Sequence, residues 1–197
     1  VETSRESQTK KTGTLSMKFS TALFAAAMPF LLVAVATADE ENNQAHWNQF
    51  RGPDGDGRSG AKDLPVEFSE TKNVRWKTAI HGKGYSSPVV WGSQVWLTTA
   101  REDGRELFAL CVDLNSGKII HDIKVFDVMK PQLAHSYLNS HATSTPVIEQ
   151  GRIYVHFGSY GTACLDTASG KKIWERRDFH CDHRVRPGSS PIVDSES

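Results

Sequence analysis

The chain has 197 residues, of which 38% are hydrophobic, and its 23 basic and 23 acidic residues give a formal net charge of zero. This size and composition fit one ordered globular domain with a modest core. A general nucleic-acid binder needs a clear excess of lysine and arginine, because its affinity comes from counterion release at phosphates. The charge balance therefore argues against that class.

The start of the chain is typical of a segment that directs export and is then removed. Met17 and a lysine precede an apolar run at residues 19–36, which ends in small residues at A-x-A spacing before an acidic stretch. This order indicates a secretory signal peptide at residues 17–38, cleaved after Ala38. Because signal peptides begin near the initiator, we interpret residues 1–16 as an upstream mis-assignment of the start.

An uncleaved membrane anchor is the alternative, since 18 apolar residues approach the roughly 20 that span a bilayer. Pro29 within the run and the A-x-A site favour cleavage. No cysteine follows the run, so a lipid anchor is not supported. We expect a periplasmic or secreted protein with no stable membrane span after cleavage.

Three cysteines, Cys111, Cys164 and Cys181, follow the predicted cleavage site. An oxidising compartment permits a disulfide, but an odd number at wide spacing is not a disulfide framework. The sequence has no C-x-x-C-H for covalent haem and no C-x-x-C pair for zinc.

The second half of the chain repeats itself. Three repeats open with S-P-V-V at residues 87–90, T-P-V-I at 145–148 and S-P-I-V at 190–193. In the first two repeats, alternating β-forming residues follow at 94–97 and 152–155. Such alternation predicts half-buried strands.

A second motif reads C-V-D-L-N-S-G-K at residues 111–118 and C-L-D-T-A-S-G-K at residues 164–171. An aspartate side chain can accept from the backbone two residues on, and glycine supplies the positive φ of a short hairpin. Each copy therefore predicts a strand, a tight turn and another strand. His121 and Trp174 stand in register, ten residues after the two cysteines.

The first repeat is longer than the second. Pro88 and Pro146 are 58 positions apart, whereas Pro146 and Pro191 are 45 apart. Of the 13 extra residues, five lie in the first hairpin around residues 102–106 and eight in the connector before Thr145. Insertions in a repeat array map to loops, so the strands can share one plan.

Four short strands per unit, at this period, predict an all-β fold: a β-propeller of four-stranded antiparallel blades. We expect a leading segment at residues 39–84, with a last strand of a closing blade, and repeats over 85–197. The blades are predicted near residues 85–144 and 145–189, and a third begins at 190.

A propeller has typically four to eight blades, so about two blades and the start of a third make it incomplete. A truncated reading frame is the favoured interpretation. A piece of a longer sequence, or a short protein that completes itself by assembly, are the alternatives. Low stability of the isolated chain is expected, because an unpaired edge and an exposed sheet face invite aggregation.

These repeats resemble those of the pyrroloquinoline-quinone (PQQ) β-propellers, whose repeat carries A-x-D-x-x-T-G-x-x-x-W. Residues 111–117 and 164–174 match it, with Cys for Ala and Ser for Thr. Also similar to the start of such proteins are W-N-Q-F-R-G-P-D-G-D-G at residues 47–57, N-V-R-W at 73–76 and G-Y-S-S-P at 84–88. The resemblance covers residues 45–197 and implies the N-terminal part of such a propeller.

The same repeats build quinoprotein alcohol and sugar dehydrogenases, the propeller lipoprotein of outer-membrane protein assembly, and exported proteins without a known role. In the dehydrogenases, PQQ lies near the propeller axis with a calcium ion and a catalytic aspartate, often beside an adjacent cysteine pair. This chain has no adjacent cysteines. No catalytic residue is carried over, because a fold does not fix a function.

Several other motifs are interpreted as structural. Asp54-x-Asp56-Gly57 suggests a calcium loop, but Arg58 and Pro65 stand where EF-hand spacing needs ligands, so a Gly-rich loop is expected. The spacings of five further residues match no standard metal site, and polar loops explain them: His135, His141, His180, Cys181 and His183.

The basic segment at residues 171–186 holds six basic and three acidic residues. We interpret it as a solvated strand face with its loop, the alternative being a patch for an anionic partner. Cys111 and Cys164 are expected to be small buried residues rather than catalytic thiols. Blade packing is predicted for Trp76, Trp174 and His121.

The sequence thus assigns no catalytic, cofactor-binding or metal-binding residue. The first hypothesis is an exported non-catalytic propeller scaffold that binds an unknown protein or small-molecule ligand, with the connector at residues 128–144 carrying the contacts. The alternative is the N-terminal part of a PQQ-dependent dehydrogenase, with PQQ and calcium as cofactors. A non-functional remnant is the third hypothesis. Either propeller hypothesis implies further blades.

Overall fold

A computed structural model describes residues 46–132, 139–181 and 185–194. The predicted signal peptide and the proposed mis-assigned start lie outside the described residues, as do His135 and His183. Within the described part, no helix is long and apolar enough to cross a membrane.

Nine strands of the described part form two antiparallel sheets, which confirms the all-β prediction. The first sheet, in the order β1 to β5, contains β1 (His46–Trp47), β2 (Val89–Trp91), β3 (Gln94–Ala100), β4 (Glu106–Asp113) and β5 (Ile119–Asp127). The second, in the order β6 to β9, contains β6 (Val147–Glu149), β7 (Arg152–His156), β8 (Thr162–Asp166) and β9 (Lys172–Arg176). A short 3-10 turn, Gly158–Tyr160, precedes β8.

The repeated cysteines lie on the third strand of each blade, between two rings. Cys111 is opposite Trp96 and His121, whose rings stack with centroids 5.6 Å apart. Because directly opposed residues point to one face of the sheet, a small side chain leaves room for the rings to meet across it. Both Cys111 and Cys164 are fully buried, as predicted, and burial raises the pKa of Cys111 to about 12.

The predicted tight turns are present in both sheets. In the first, the Asp113 carboxylate accepts hydrogen bonds from the Ser116 N–H at 2.7 Å and from its hydroxyl at 2.6 Å. Gly117, at φ +72°, donates its N–H to the Asp113 carbonyl at 2.8 Å. The same bonds recur around Asp166 in the second sheet. These bonds favour the ionised carboxylate and lower the pKa of Asp113.

Each turn is covered by a ring from the unit before it. The Trp76 indole N–H donates to the Leu114 carbonyl at 2.8 Å, and a Cβ on Gly117 would lie 2.7 Å from that indole. His121 lies over Gly170 in the same way, 3.0 Å from where a Cβ would be. The packing roles of Trp76 and His121 are thus confirmed.

Trp174 occupies the equivalent position in the second sheet. It is 41% exposed and lies beside Tyr154, with ring centroids 6.1 Å apart. The described residues contain no third turn for it to cover. Its packing against a following blade stays a prediction.

The first sheet has one strand more than a four-stranded blade. β1 pairs with β2, and the next residue, Asn48, accepts a hydrogen bond from the Ile148 N–H of β6 at 2.9 Å. Between the two sheets, the main contact is that of β2 with β6, and we interpret this edge as the one that faces the propeller axis. Residues 46–48 therefore bind the axial edges of both sheets. The predicted closing-blade strand within residues 39–84, and the blade boundaries, stay predictions.

Hydroxyl groups link the repeat openings around the axis. The Ser87 N–H donates to the Thr145 hydroxyl at 3.1 Å, and the Thr145 N–H donates to the Ser190 hydroxyl at 3.0 Å. The three openings share a Ser or Thr before Pro. The hydroxyl of each later opening can therefore accept a hydrogen bond from a backbone N–H of the opening before it.

Thr145→Val should lower the free energy of unfolding by about 1–2 kcal/mol, because it keeps the side-chain shape but leaves the Ser87 N–H without an acceptor. Urea denaturation measures the change. Thr145→Ser, which retains the hydroxyl, is the matched control and should lose less stability than Thr145→Val. Equal losses in the two variants would contradict the proposed link.

Candidate functional site

Strand direction places three kinds of loop at one end of the sheets. β3 ends at Ala100 and β4 begins at Glu106, while β5 ends at Asp127 and β6 begins at Val147. Because neighbouring strands are antiparallel, the β3–β4 turn, the β5–β6 connector and the repeat openings all lie at this end. We call it the connector face.

The two insertions of the first repeat meet on the connector face. The Val128 N–H donates to the Arg105 carbonyl at 2.8 Å, which ties the start of the connector to the hairpin turn. Later in the connector, the His141 ring lies over Gly104, 2.3 Å from where a Cβ would be. Residues 101–106, 128–132 and 139–142 thus form one feature, here called the insertion platform.

His141 is the buried centre of the insertion platform, with 4% of its surface exposed. The Tyr160 hydroxyl lies 3.4 Å from its Nδ1 and accepts a hydrogen bond from the Gln132 N–H at 2.7 Å. Burial, reinforced by the positive charge of Arg186, lowers the pKa of His141 to about 4. The imidazole is therefore neutral in the folded protein at pH 7.

Lowering the pH from 7 to 5 should destabilise the fold through His141. Its folded pKa of about 4 lies below the usual 6.5, so the unfolded chain binds the proton first and stability falls as pH decreases between these values. At pH 5 the loss should reach about 2 kcal/mol. The urea midpoint of unfolding, measured at both pH values, tests this. Between pH 7 and pH 5, the midpoint of His141→Gln should decrease less than that of the wild type. An identical decrease would contradict it.

A second connector fastens the insertion platform from the other side. The Asn139 side-chain amide donates to the carbonyls of Val185, Arg186 and Pro187 at 3.1, 3.3 and 3.4 Å. In return, the Arg186 guanidinium donates to the Asn139 carbonyl at 3.1 Å. These bonds hold the insertion platform against the segment that follows β9, and loops held on a scaffold suit recognition.

A cleft of about 730 Å³ opens beside the hairpin turn of the insertion platform. Four acidic, two basic and two apolar residues line it: Arg101, Glu102, Asp103, Arg105, Glu106, Asp127, Val128 and Met129. Arg101 and Lys124 pair with the Glu106 carboxylate at 3.1 and 3.2 Å and lower its pKa. Met129 is 83% exposed, so the cleft combines acidic walls with an uncovered apolar side chain.

A family model described as outer membrane protein assembly factor BamB matches residues 58–178. The chain belongs to this family. The match includes the β3–β4 turn and the start of the connector, as well as both cysteine motifs. With the two antiparallel sheets, it confirms the predicted PQQ-type repeats and the β-propeller fold class. A comparison with curated proteins found no match.

The loop with Asp54 and Asp56 lies ahead of the region matched by the BamB family. Its backbone is closed by hydrogen bonds from Gly55 to the Gly52 carbonyl and from Gly57 to the Arg51 carbonyl. The Asp56 carboxylate accepts from the Arg58 N–H at 2.8 Å. These are the bonds of a Gly-rich turn.

The histidines and the third cysteine, considered as metal ligands from the sequence, lie in separate surroundings. Cys181 is exposed, and its carbonyl accepts a hydrogen bond from the Ser159 hydroxyl. His141, in contrast, is enclosed by the insertion platform. Within residues 46–132, 139–181 and 185–194, no three His, Cys, Asp or Glu residues lie close enough to hold a metal ion.

The basic segment joins the two blades of this BamB-family chain. The Lys172 ammonium donates to the Val125 carbonyl at 2.8 Å, and Arg177 donates to the carbonyls of Tyr160 and Asp127 at 3.0 and 3.1 Å. Both cations lie about 5 Å from the Phe126 ring, at 5.0 and 4.9 Å. Although β9 is solvent-exposed as predicted, these two side chains bind across blades, which sequence spacing could not show.

Proposed function

We propose that this chain is an exported, non-catalytic β-propeller scaffold that binds another protein through its insertion platform. The observation that carries the proposal is the contact between the two first-repeat insertions, which builds a fixed surface with an exposed methionine. Proteins use loops on rigid scaffolds for recognition, and methionine is favoured at interface cores. The BamB family description, an assembly factor for outer-membrane proteins, supports a partner in the periplasm.

The lining of the cleft indicates the kind of partner. Acidic residues outnumber basic ones on its walls, and Met129 offers an apolar anchor. Glu106, Asp127 and Asp103 pair with Arg101, Lys124 or Arg105, so Glu102 is the carboxylate of the cleft that offers charge to a partner. Complementary charge steers association and excludes wrong partners. We infer a partner segment that presents an apolar side chain flanked by lysine or arginine.

The structure gives less support to PQQ chemistry. In the quinoprotein dehydrogenases that these repeats resemble, the cofactor lies near the axis, and here residues 46–48 bind the axial edges of β2 and β6. The buried thiol of Cys111 has a raised pKa and the cysteines are far apart along the chain. No described residue is assigned to a PQQ site, and no catalytic step is derived from one.

Photo-crosslinking in cells tests the proposal. A benzoylphenylalanine at Met129 should capture a specific protein, whereas the same group at Val66, which is 97% exposed and outside the insertion platform, should not. Equal capture at both positions, or capture at neither, would contradict a protein-binding platform. PQQ- and calcium-dependent dye reduction by the same chain would contradict the non-catalytic assignment.

A further inference from the structure

We propose that a second cleft, where the three repeat openings meet, binds an uncharged oligosaccharide. Its volume is about 600 Å³, within the range of small-molecule sites. Among its lining residues are Phe50, Tyr85, Ser87, Thr143, Ser189 and Ser190, and none of the lining residues is charged. This site shares no lining residue with the cleft beside Met129 and does not rest on the proposed protein-binding function.

Two aromatic rings flank the cleft and come from separate parts of the chain. Phe50 is 51% exposed and Tyr85 is 48% exposed. The Arg51 guanidinium lies 5.8 Å from the Phe50 ring and the Lys83 ammonium 5.4 Å from the Tyr85 ring. The weakly positive C–H groups of a sugar face suit the negative face of an aromatic ring.

Hydroxyl groups supply the polar contacts between these rings. The side-chain hydroxyls of Tyr85, Ser87 and Ser189 make no hydrogen bond with other described residues. Each hydroxyl can donate once and accept twice. A sugar, whose own hydroxyls both donate and accept, matches these hydroxyls, and none of the residues that line the cleft is charged.

The backbone argues against a peptide strand as the occupant. The N–H groups of Tyr85 and Ser86 donate to the Ala142 carbonyl at 2.8 and 3.2 Å, and the Ser87 N–H donates to Thr145. A peptide that adds to a sheet edge needs unpaired main-chain groups. On the side of the cleft formed by residues 85–87 those donors are already used, so recognition there falls to hydroxyls and aromatic faces.

Isothermal titration of the full chain with maltohexaose, cellohexaose and chitohexaose tests the proposal. At least one of these uncharged oligosaccharides should bind with a Kd of about 1 mM or tighter. Phe50→Ala and Tyr85→Ala should each weaken binding about tenfold or more, whereas Tyr85→Phe, which keeps the ring and removes one hydroxyl, should weaken it less than Tyr85→Ala. Phe68→Ala is the matched control, because Phe68 is 76% exposed and does not line the cleft.

Absence of binding by all three sugars would overturn the proposal, as would equal affinities for the Phe50, Tyr85 and Phe68 variants. Tighter binding of a proline-rich peptide or of an anionic oligosaccharide at the same residues would also overturn it. Circular dichroism melting confirms that each variant is folded. The sugar affinities do not depend on whether a protein is captured at Met129. The two proposals can therefore fail separately.

Discussion

Gly117→Ala is expected to lower the free energy of unfolding by about 3 kcal/mol. Two costs combine in this variant. The residue has φ +72°, which strains an L side chain, and its new Cβ would lie 2.7 Å from the Trp76 indole. Urea denaturation followed by tryptophan fluorescence measures the loss of stability. The shift in the urea midpoint reports on whether the leading segment stays docked on the first blade.

Gly55→Ala separates the two costs. Gly55 has a similar φ of +68°, but nothing lies within 4 Å of the position that an added methyl group would take. Only backbone strain of about 1 kcal/mol is therefore expected. The difference between the stability losses of Gly117→Ala and Gly55→Ala measures the cost of the clash with Trp76. Equal losses would show that Trp76 does not hold the turn.

Gly104→Ala should have a comparable effect, about 3 kcal/mol, and should also disrupt the insertion platform. At φ +72°, the added Cβ would lie 2.3 Å from the His141 ring. Because His141 is buried, its ring cannot rotate into solvent without opening the connector. Hydrogen exchange should therefore increase at residues 128–132 and 139–142.

Gly151→Ala is the control for this second variant. Its φ is +78° and nothing lies within 4 Å of the added group, so exchange in the connector should stay at the wild-type rate. If Gly104→Ala left exchange in the connector unchanged, the two insertions would not form one feature.

The strands could be predicted from the sequence because their signals are local. Alternation at residues 94–97 and 152–155 lies within β3 and β7, and the aspartate and glycine of each turn make the expected bonds. The burial of Cys111 and Cys164 followed from a repeated position that takes a small residue. Each of these inferences needs only neighbours along the chain.

The candidate site could be predicted only in part. The two insertions were visible as extra residues, but their contact depends on which strand ends share a face and on a ring from the connector fitting over Gly104. β1 has two residues, too few to show a period, so its pairing at the axial edge carried no sequence signal. The bridging roles of Lys172 and Arg177 likewise depend on the neighbouring blade.

The affinity of the protein captured at Met129 for two charge variants tests directly whether the partner docks on the insertion platform. Met129→Arg should weaken binding at least about tenfold, because it removes the apolar anchor and repels a basic partner. Val66→Arg, with the same charge change at another exposed position, should bind like the wild type. Equal affinities for both variants would contradict a partner that docks on the insertion platform.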